Sequence, residues 1–227
     1  QEKTFQRDSW GGSISKYLDR HDLKFGLEFE TEKADVMKRM SGGQRVDILE
    51  NPNGGPAIYS HFYWTTPLAT LDDAPTSELV APVKHDNTVA YLQDRWQISA
   101  AFGLNIGVRW DRQEIFDRFG RRVIDLKDDF APRLGFTWTP GAEGHSKLYG
   151  SYGQYYEQIP MDLVIRSFAQ ERQARIFNYD PLSTSPDAGA EFDLGRDSVI
   201  LGGFTEEADP NLKNQYINEF ILGYERE

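Results

Sequence analysis

Asp22-Leu23-Lys24-Phe25-Gly26-Leu27-Glu28-Phe29-Glu30-Thr31-Glu32 is the stretch whose pattern decides the fold class. Leu23, Phe25, Leu27 and Phe29 fall on one parity, and Lys24, Gly26, Glu28 and Glu30 on the other. A period of two puts unlike side chains on opposite faces of an extended chain, so this is a strand with one apolar and one polar face. The pattern recurs. Over 102–113, Leu104, Ile106, Val108 and Trp110 oppose Asn105, Gly107, Arg109 and Asp111. Over 130–139, Phe130, Leu134, Phe136 and Trp138 oppose Ala131, Arg133, Gly135 and Thr137. Over 88–99, Ala90, Leu92, Trp96 and Ile98 oppose Tyr91, Gln93, Arg95 and Gln97, with Asp94 as an exception on the apolar face. At the C-terminus Tyr216, Phe220, Leu222 and Tyr224 oppose Ile217, Glu219, Ile221 and Glu225. Softer alternation marks 146–157, rich in Tyr and Gly, and 5–18, with Trp10, Gly12, Ile14 and Tyr17.

The spacing of these runs carries a second signal. Short polar connections at 19–22, 99–103 and 140–145 join neighbouring runs as hairpins do. Between the hairpins lie long connections at 33–87, 115–129 and 158–212. Loops beyond ~12–15 residues are uncommon in compact soluble domains, whereas short turns at one rim and long loops at the other are the rule in outer-membrane barrels. The two longest connections read as irregular. One holds Gly42-Gly43, Asn51-Pro52-Asn53-Gly54-Gly55-Pro56, Pro67, Pro75 and Pro82; the other holds Pro160, Pro181, Pro186 and Pro210, with a short helix expected within 161–176. No repeat, low-complexity tract or composition shift marks a second domain, so 1–227 is expected to be part of one β-barrel domain.

Composition narrows the partners. The 227 residues carry a formal net charge of −11, and no Lys/Arg stripe suited to phosphate is present, which argues against nucleic acid. No cysteine is present, which removes disulfides, thiol nucleophiles and Cys-ligated zinc. No run of ~18 apolar residues could form a spanning helix, and 1–8 lacks signal-peptide character. A mean hydropathy of −0.61 is still compatible with a membrane, because a spanning strand needs only ~9–11 residues and only every second one apolar.

Two architectures satisfy the alternation. In an antiparallel transmembrane barrel the apolar faces meet lipid and the polar faces line a wet lumen. Trp96 and Trp138, just before short turns, and Trp110, one crossing length after one, would then sit in two interfacial girdles. In a soluble antiparallel sandwich the same apolar faces would converge on a dry core, with loops of great length hanging from one end.

The segments also resemble, in order, the TonB-dependent outer-membrane receptors, particularly the large type with a carboxypeptidase-regulatory-like N-terminal domain. His21-Asp22-Leu23-Lys24-Phe25-Gly26-Leu27-Glu28-Phe29 is similar to one strand of that family, Tyr91-Leu92-Gln93-Asp94-Arg95-Trp96 to another, and Leu104-Asn105-Ile106-Gly107-Val108-Arg109-Trp110-Asp111 to the strand that follows it. Ala131-Pro132-Arg133-Leu134-Gly135-Phe136, Gly150-Ser151-Tyr152-Gly153-Gln154-Tyr155-Tyr156 and Asp209-Pro210-Asn211-Leu212-Lys213 complete the series. The resemblance implies a bacterial outer-membrane location and active solute uptake. It also implies an inner-membrane TonB complex acting through a plug domain, and outer-membrane lipid as a partner. Neither plug nor TonB box is found in this sequence, and Arg226-Glu227 fall inside a strand pattern. About seven strands are counted where bacterial single-chain barrels have even numbers, so a barrel fragment is expected, with other chain segments or chains completing it.

Candidate sites are few. His21, His61, His85 and His145 lack zinc-helix spacing, and His21 and His145 read as turn residues. No nucleophile elbow or phosphate-binding glycine loop occurs, so no enzyme, cofactor or metal is expected. Asp125, Asp128 and Asp129 lack the spacing of a calcium loop and read as solvated charge. Glu28, Glu30, Arg109, Asp111 and Arg133 should face a lumen and pair across strands. For solute contact, Tyr59, Phe62, Tyr63 and Trp64 in the first long loop and Tyr155 and Tyr156 are the candidates, because aromatic faces stack on sugars and apolar ligand parts. The competing function is a soluble extracellular β-rich glycan-binding or scaffold module.

Overall fold

The computed structural model describes residues 2–41, 45–51, 54–64, 78–141, 145–178, 198–202 and 207–226. The strands are β1 (Glu2–Leu18), β2 (His21–Arg39), β3 (Arg45–Leu49), β4 (Ile58–Trp64), β5 (Glu78–Ser99), β6 (Phe102–Phe116), β7 (Arg122–Trp138), β8 (Ser146–Tyr156), β9 (Arg172–Asn178), β10 (Ser198–Gly202) and β11 (Tyr216–Arg226), with one helix, α1 (Met161–Phe168). Seven strands form an antiparallel wall in the order β1-β2-β5-β6-β7-β8-β11, and four form a second sheet in the order β10-β9-β4-β3.

In the wall the register keeps like parities together. Trp10, Phe29 and Thr88 share a row, as do Phe25, Leu92, Val108 and Pro132. The apolar parities predicted from alternation therefore form one continuous face, called here the Phe25 face, and Glu28, Tyr91, Arg109 and Ala131 lie on the other, the Glu28 face. Among the described residues nothing covers the middle of the Phe25 face. Phe25 is 46% exposed, Leu134 51% and Phe220 79%, and Leu27, Ile106 and Val108 are exposed too. The sandwich with a dry core is not formed.

Asp94, the exception on the apolar face, is explained by a neighbour in the register: the Nδ1 atom of His21 lies 2.8 Å from its Oδ2, and the His21 ring stacks on Trp96 with centroids 5.2 Å apart. The turn at Asp19-Arg20 uses a left-handed φ of +46° at Asp19, which an Asp tolerates better than most side chains. His21 accordingly opens β2 rather than lying in the turn.

The strands run further than the alternation indicated. β2 has 19 residues and β5 has 22, so both continue well into the connection read as 33–87. Within that connection β3 and β4 also form, and 158–212 holds α1, β9 and β10. The connection read as 115–129 is a tight hairpin, because β6 reaches Phe116 and β7 starts at Arg122 with Gly120 at φ +75°. The helix expected within 161–176 ends at Phe168, and the chain returns as β9 from Arg172.

The reason is a change of phase. On β2 the Glu28 face continues as Ala34 and Val36, both fully buried, while Lys33 and Asp35 take the opposite face. On β5 the same face continues as Val83, Ala81 and Leu79, all buried. Above a crossover at Thr31-Glu32 and Asp86-Asn87-Thr88 the apolar parity therefore switches sides. What covers it is α1. Val164, Ile165 and Phe168 of the helix join Ala34, Val36, Leu79, Ala81, Val83, Ile115 and Trp64 in one cluster. Spacings of one and four residues place the three helix side chains on a common stripe. A smaller cluster of Ile58, Phe177 and Leu49 holds the second sheet together.

Candidate functional site

The Glu28 face at the middle of the wall is built in rows. Ser9, Glu30, Asn87 and Gln113 make one; Gly11, Glu28, Val89, Asp111 and Asp129 the next; then Ser13, Gly26, Tyr91, Arg109 and Ala131; then Ser15, Lys24, Gln93, Gly107, Arg133 and Gly153. Small and polar residues dominate because this face need not exclude water, and directly opposed side chains are close enough to pair.

Four of the five charges form ion pairs, Glu28, Glu30 and Arg109 across strands as expected and Asp111 along its own strand with Arg109. Arg109 grips Asp111 through two parallel bonds, Nε to Oδ2 at 2.9 Å and Nη2 to Oδ1 at 2.8 Å, and its Nη1 lies 3.5 Å from Glu28. Fork-to-fork geometry of this kind fixes direction as well as distance. Glu30 accepts from Arg7 and, at 3.2 Å, from Gln158. Arg133 does otherwise: its guanidinium lies over the Tyr155 ring, 4.9 Å from the centroid.

Two tyrosines beside the middle of this face lie over glycines, as Tyr149 does over Gly223 further along. A Cβ on Gly26 would lie 2.3 Å from the Tyr91 ring, and one on Gly153 would lie 2.7 Å from that of Tyr155. Absence of a side chain at these two positions lets the rings lie down on the sheet, Tyr91 over its cross-strand partner Gly26 and Tyr155 over Gly153 two residues before it on β8. Lys24 sits over the Tyr91 ring at 5.8 Å. Between the rings runs a groove of ≈ 430 Å³, floored by Gly107 and Gly135 and edged by Gln93, Asn105 and Ser151.

The helix α1 closes the loop end of this face. Gln113 holds the strap before it with both amide atoms, donating to the Glu157 carbonyl at 3.0 Å and accepting from the Ile159 N–H at 3.0 Å. Beyond the helix, Arg118 donates to the carbonyls of Val80 at 2.7 Å and Ala169 at 3.4 Å, Gln170 donates to Asp117 at 3.1 Å, and Lys38 pairs with Glu171. Lys3 and Arg166 hold the Asp162 carboxyl below its ordinary range, Lys3 by the larger share. His85 is buried beneath the cap in the row of Glu32 and Ile115, and burial pushes its imidazole pKa down against the pull of Asp86, Glu30 and Gln113.

The aromatic residues proposed for solute contact are dispersed. Phe62 and Trp64 are buried, the first under the Arg45 guanidinium and the second in the α1 cluster, so they are packing residues. The run Ile58–Trp64, apolar and aromatic, is a strand signal that sequence reading took for loop. Tyr59 is half-buried in β4, and the side chain of Tyr63 lies outside the described residues. Tyr156 is on the Phe25 face against Tyr216, centroids 5.8 Å apart, and Tyr155 alone reaches the groove. Trp96 and Trp138 lie at the short-turn end of the Phe25 face, and Trp110 lies at its other limit with its Nε1 donating to the Lys127 carbonyl at 2.7 Å. Asp125 pairs with Arg112 and Arg122, while Asp129 accepts from Asn214 at 2.9 Å, so the acidic cluster is dispersed as well. The Arg112 hydrogen bond and charge hold the Asp125 carboxyl below its ordinary range. No cluster of metal-ligating side chains is found among the described residues. Sequence reading missed α1 as a cover and the Tyr91–Gly26 and Tyr155–Gly153 seats, although the alternation of Tyr with Gly in 149–156 carried the signal for the latter.

Comparison with known proteins places this architecture. The TonB-dependent transporter Oar of Myxococcus xanthus is 27% identical over 260 aligned residues, a match that takes in 98% of this chain and 24% of that protein. No solved structure matches the chain. The family model described as TonB dependent receptor-like, beta-barrel, matches residues 4–225, nearly the whole chain, which therefore belongs to the β-barrel domain of the TonB-dependent receptors, a family of transporters and not of enzymes.

Proposed function

We propose that this chain is part of the wall of a bacterial outer-membrane barrel that takes up a solute under the drive of a TonB complex. The Phe25 face meets lipid, the Glu28 face lines the lumen, and the α1 cap stands at the outer mouth. The observation that carries this reading is the long apolar face left bare in the middle of a folded sheet. In water such a face is an aggregation surface; in a bilayer it is the required exterior. From Phe102 to Trp110 the strand covers roughly 27 Å at ~3.4 Å per residue, and strand tilt brings its vertical reach near the ~25 Å apolar band of outer-membrane barrels. Trp96 and Trp138 at one limit and Trp10 and Trp110 at the other form the two girdles. Drive by a TonB complex, delivered through a plug, follows the family and the Oar relative.

Spin labels test the two faces directly. In a cysteine-free full-length receptor reconstituted in vesicles, a label at Leu27→Cys should collide with oxygen dissolved in the bilayer, and one at Glu28→Cys with a water-soluble nickel chelate. Equal access of the nickel reagent to both positions overturns the membrane reading.

A further inference from the structure

The exit of helix α1 is built against backbone preference. Among the described non-glycine residues only Asp19 and Gln170 have a left-handed backbone, Asp19 in an exposed turn and Gln170, at φ +49°, buried one residue beyond the helix cap Ala169. Helices often end on such a residue, and glycine usually supplies it because a β-carbon is crowded there. Glutamine keeps the crowding. What it brings in return is a side chain that reaches the next hairpin, where its Nε2 donates to Oδ2 of Asp117 at 3.1 Å. A joint that had only to be rigid would be better served by glycine, which needs no partner.

Asp117 is equipped to hold. Its carboxylate is wholly buried at the base of the β6–β7 turn, where Oδ1 accepts from the N–H groups of Phe119 and Arg121 at 2.9 Å each and Oδ2 from the Arg121 guanidinium at 2.7 Å. Beside it the Arg118 N–H donates to the Phe168 carbonyl at 3.3 Å, and the Arg118 guanidinium donates to the carbonyls of Ala169 and Val80. One outer turn therefore grips the last carbonyls of the helix, the residue after it and the wall strand beneath. The helix itself has eight residues and buries three side chains, Val164, Ile165 and Phe168. A unit so small can leave without unfolding the wall.

We propose that Asp117 and Gln170 form a catch: their contact holds a strained joint closed, and when it parts the joint relaxes and α1 swings off the Glu28 face as a lid. Phe119 makes the catch reachable from outside, because it is half exposed at the tip of the same turn with the guanidiniums of Arg118 and Arg121 over its ring. That the lid stands over a solute's entrance rests on the function proposed above. The catch does not, so its test and the spin-label test of the two faces can fail separately.

Two substitutions separate the strain from the bond. Gln170→Ala keeps the β-carbon and loses the bond; Gln170→Gly loses both. In the full-length receptor in detergent, amide exchange in α1 should quicken about tenfold or more in the alanine variant and stay within about threefold of the parent in the glycine variant, a difference set by the usual cost of a left-handed backbone. Exchange in 104–108 should not change. Spin labels at Leu163→Cys and Leu27→Cys, added to the alanine variant of the cysteine-free receptor, should show by pulsed EPR a second resolved distance beside that of the parent. An alanine variant that exchanges like the parent means that the side chain holds nothing, and a glycine variant as fast as the alanine one means that strain plays no part; either result overturns the proposal. So does fast exchange with the parent's distance alone, which is a helix fraying in place.

Discussion

The same two strands, β2 and β5, behave in opposite ways along their length. Near Phe25 and Leu92 the apolar side chains stand on the bare face and the polar ones on the Glu28 face; near Val36 and Ala81 the assignment is reversed. No bulge separates the two regions in this pair, whose register runs unbroken from His21 to Arg39. The chain has not turned over; the surroundings have. Which face of a strand is apolar is set by what it meets, helix α1 in the second region and, on the function proposed above, lipid in the first.

Arginine at the fully buried Ala81 strikes the covered region hardest. The substitution places an unpaired charge under α1 and should cost about 3–5 kcal/mol, freeing the cap and exposing 157–171 to protease while the wall remains folded. Val80→Arg, one residue away on the exposed side, should leave the protease pattern unchanged. If both behave alike, the reversal of faces is wrong.

In the bare region the polarity of the test inverts. Leu134→Arg should lower the stability of the folded barrel in lipid by about 2–4 kcal/mol, measured by denaturant titration in vesicles, and should leave the protease sensitivity of 157–171 untouched. Gly26→Ala is smaller. A methyl 2.3 Å from the Tyr91 ring forces that ring off the sheet, at about 1–3 kcal/mol as overpacking usually costs. Adding Tyr91→Ala should restore most of the loss.

Acid provides the gentlest test and acts on the covered region alone. The folded-state pKa of His85 is depressed by burial. Above the ordinary histidine value of ~6.5 both folded and open forms are neutral and the cap keeps its full stability. As pH falls from there toward the folded-state value, the open form takes the proton first and stability declines. Amide exchange in α1 should therefore quicken between neutral and mildly acidic pH, with exchange in 104–108 unchanged. His85→Gln should flatten the dependence.

The reversal also explains what could be read from residues alone. Period-two alternation located all seven wall strands, because each has a stretch in which parity and polarity agree. It lost their outer ends where parity switched: Thr31-Glu32-Lys33 reads as a polar end, though Ala34 and Val36 continue the strand in the opposite phase. The second sheet was illegible for another reason. Its strands are short, flanked by Gly and Pro, and paired between two remote connections, information no local window contains. On the Glu28 face the charges and tyrosines were visible, but which acid meets Arg109 and which glycine lies under each ring depends on neighbours the local sequence does not name. Phe62 and Trp64 looked like contact residues because aromatic side chains in a supposed loop have no other evident use.

Pairing of β4 with β9, Tyr59 against Asn178 through Trp64 against Gln173, sets an order of assembly. The pairs β1-β2, β5-β6, β6-β7 and β7-β8 close over short turns, whereas this ladder joins segments separated by most of the wall and must meet the entropy of closing that long loop. The outer sheet can zip only after β5 to β8 have brought its two halves within reach. A slip in register anywhere among those hairpins is therefore carried outward and leaves the second sheet mismatched, making its formation a late check on whether the wall beneath has been built correctly.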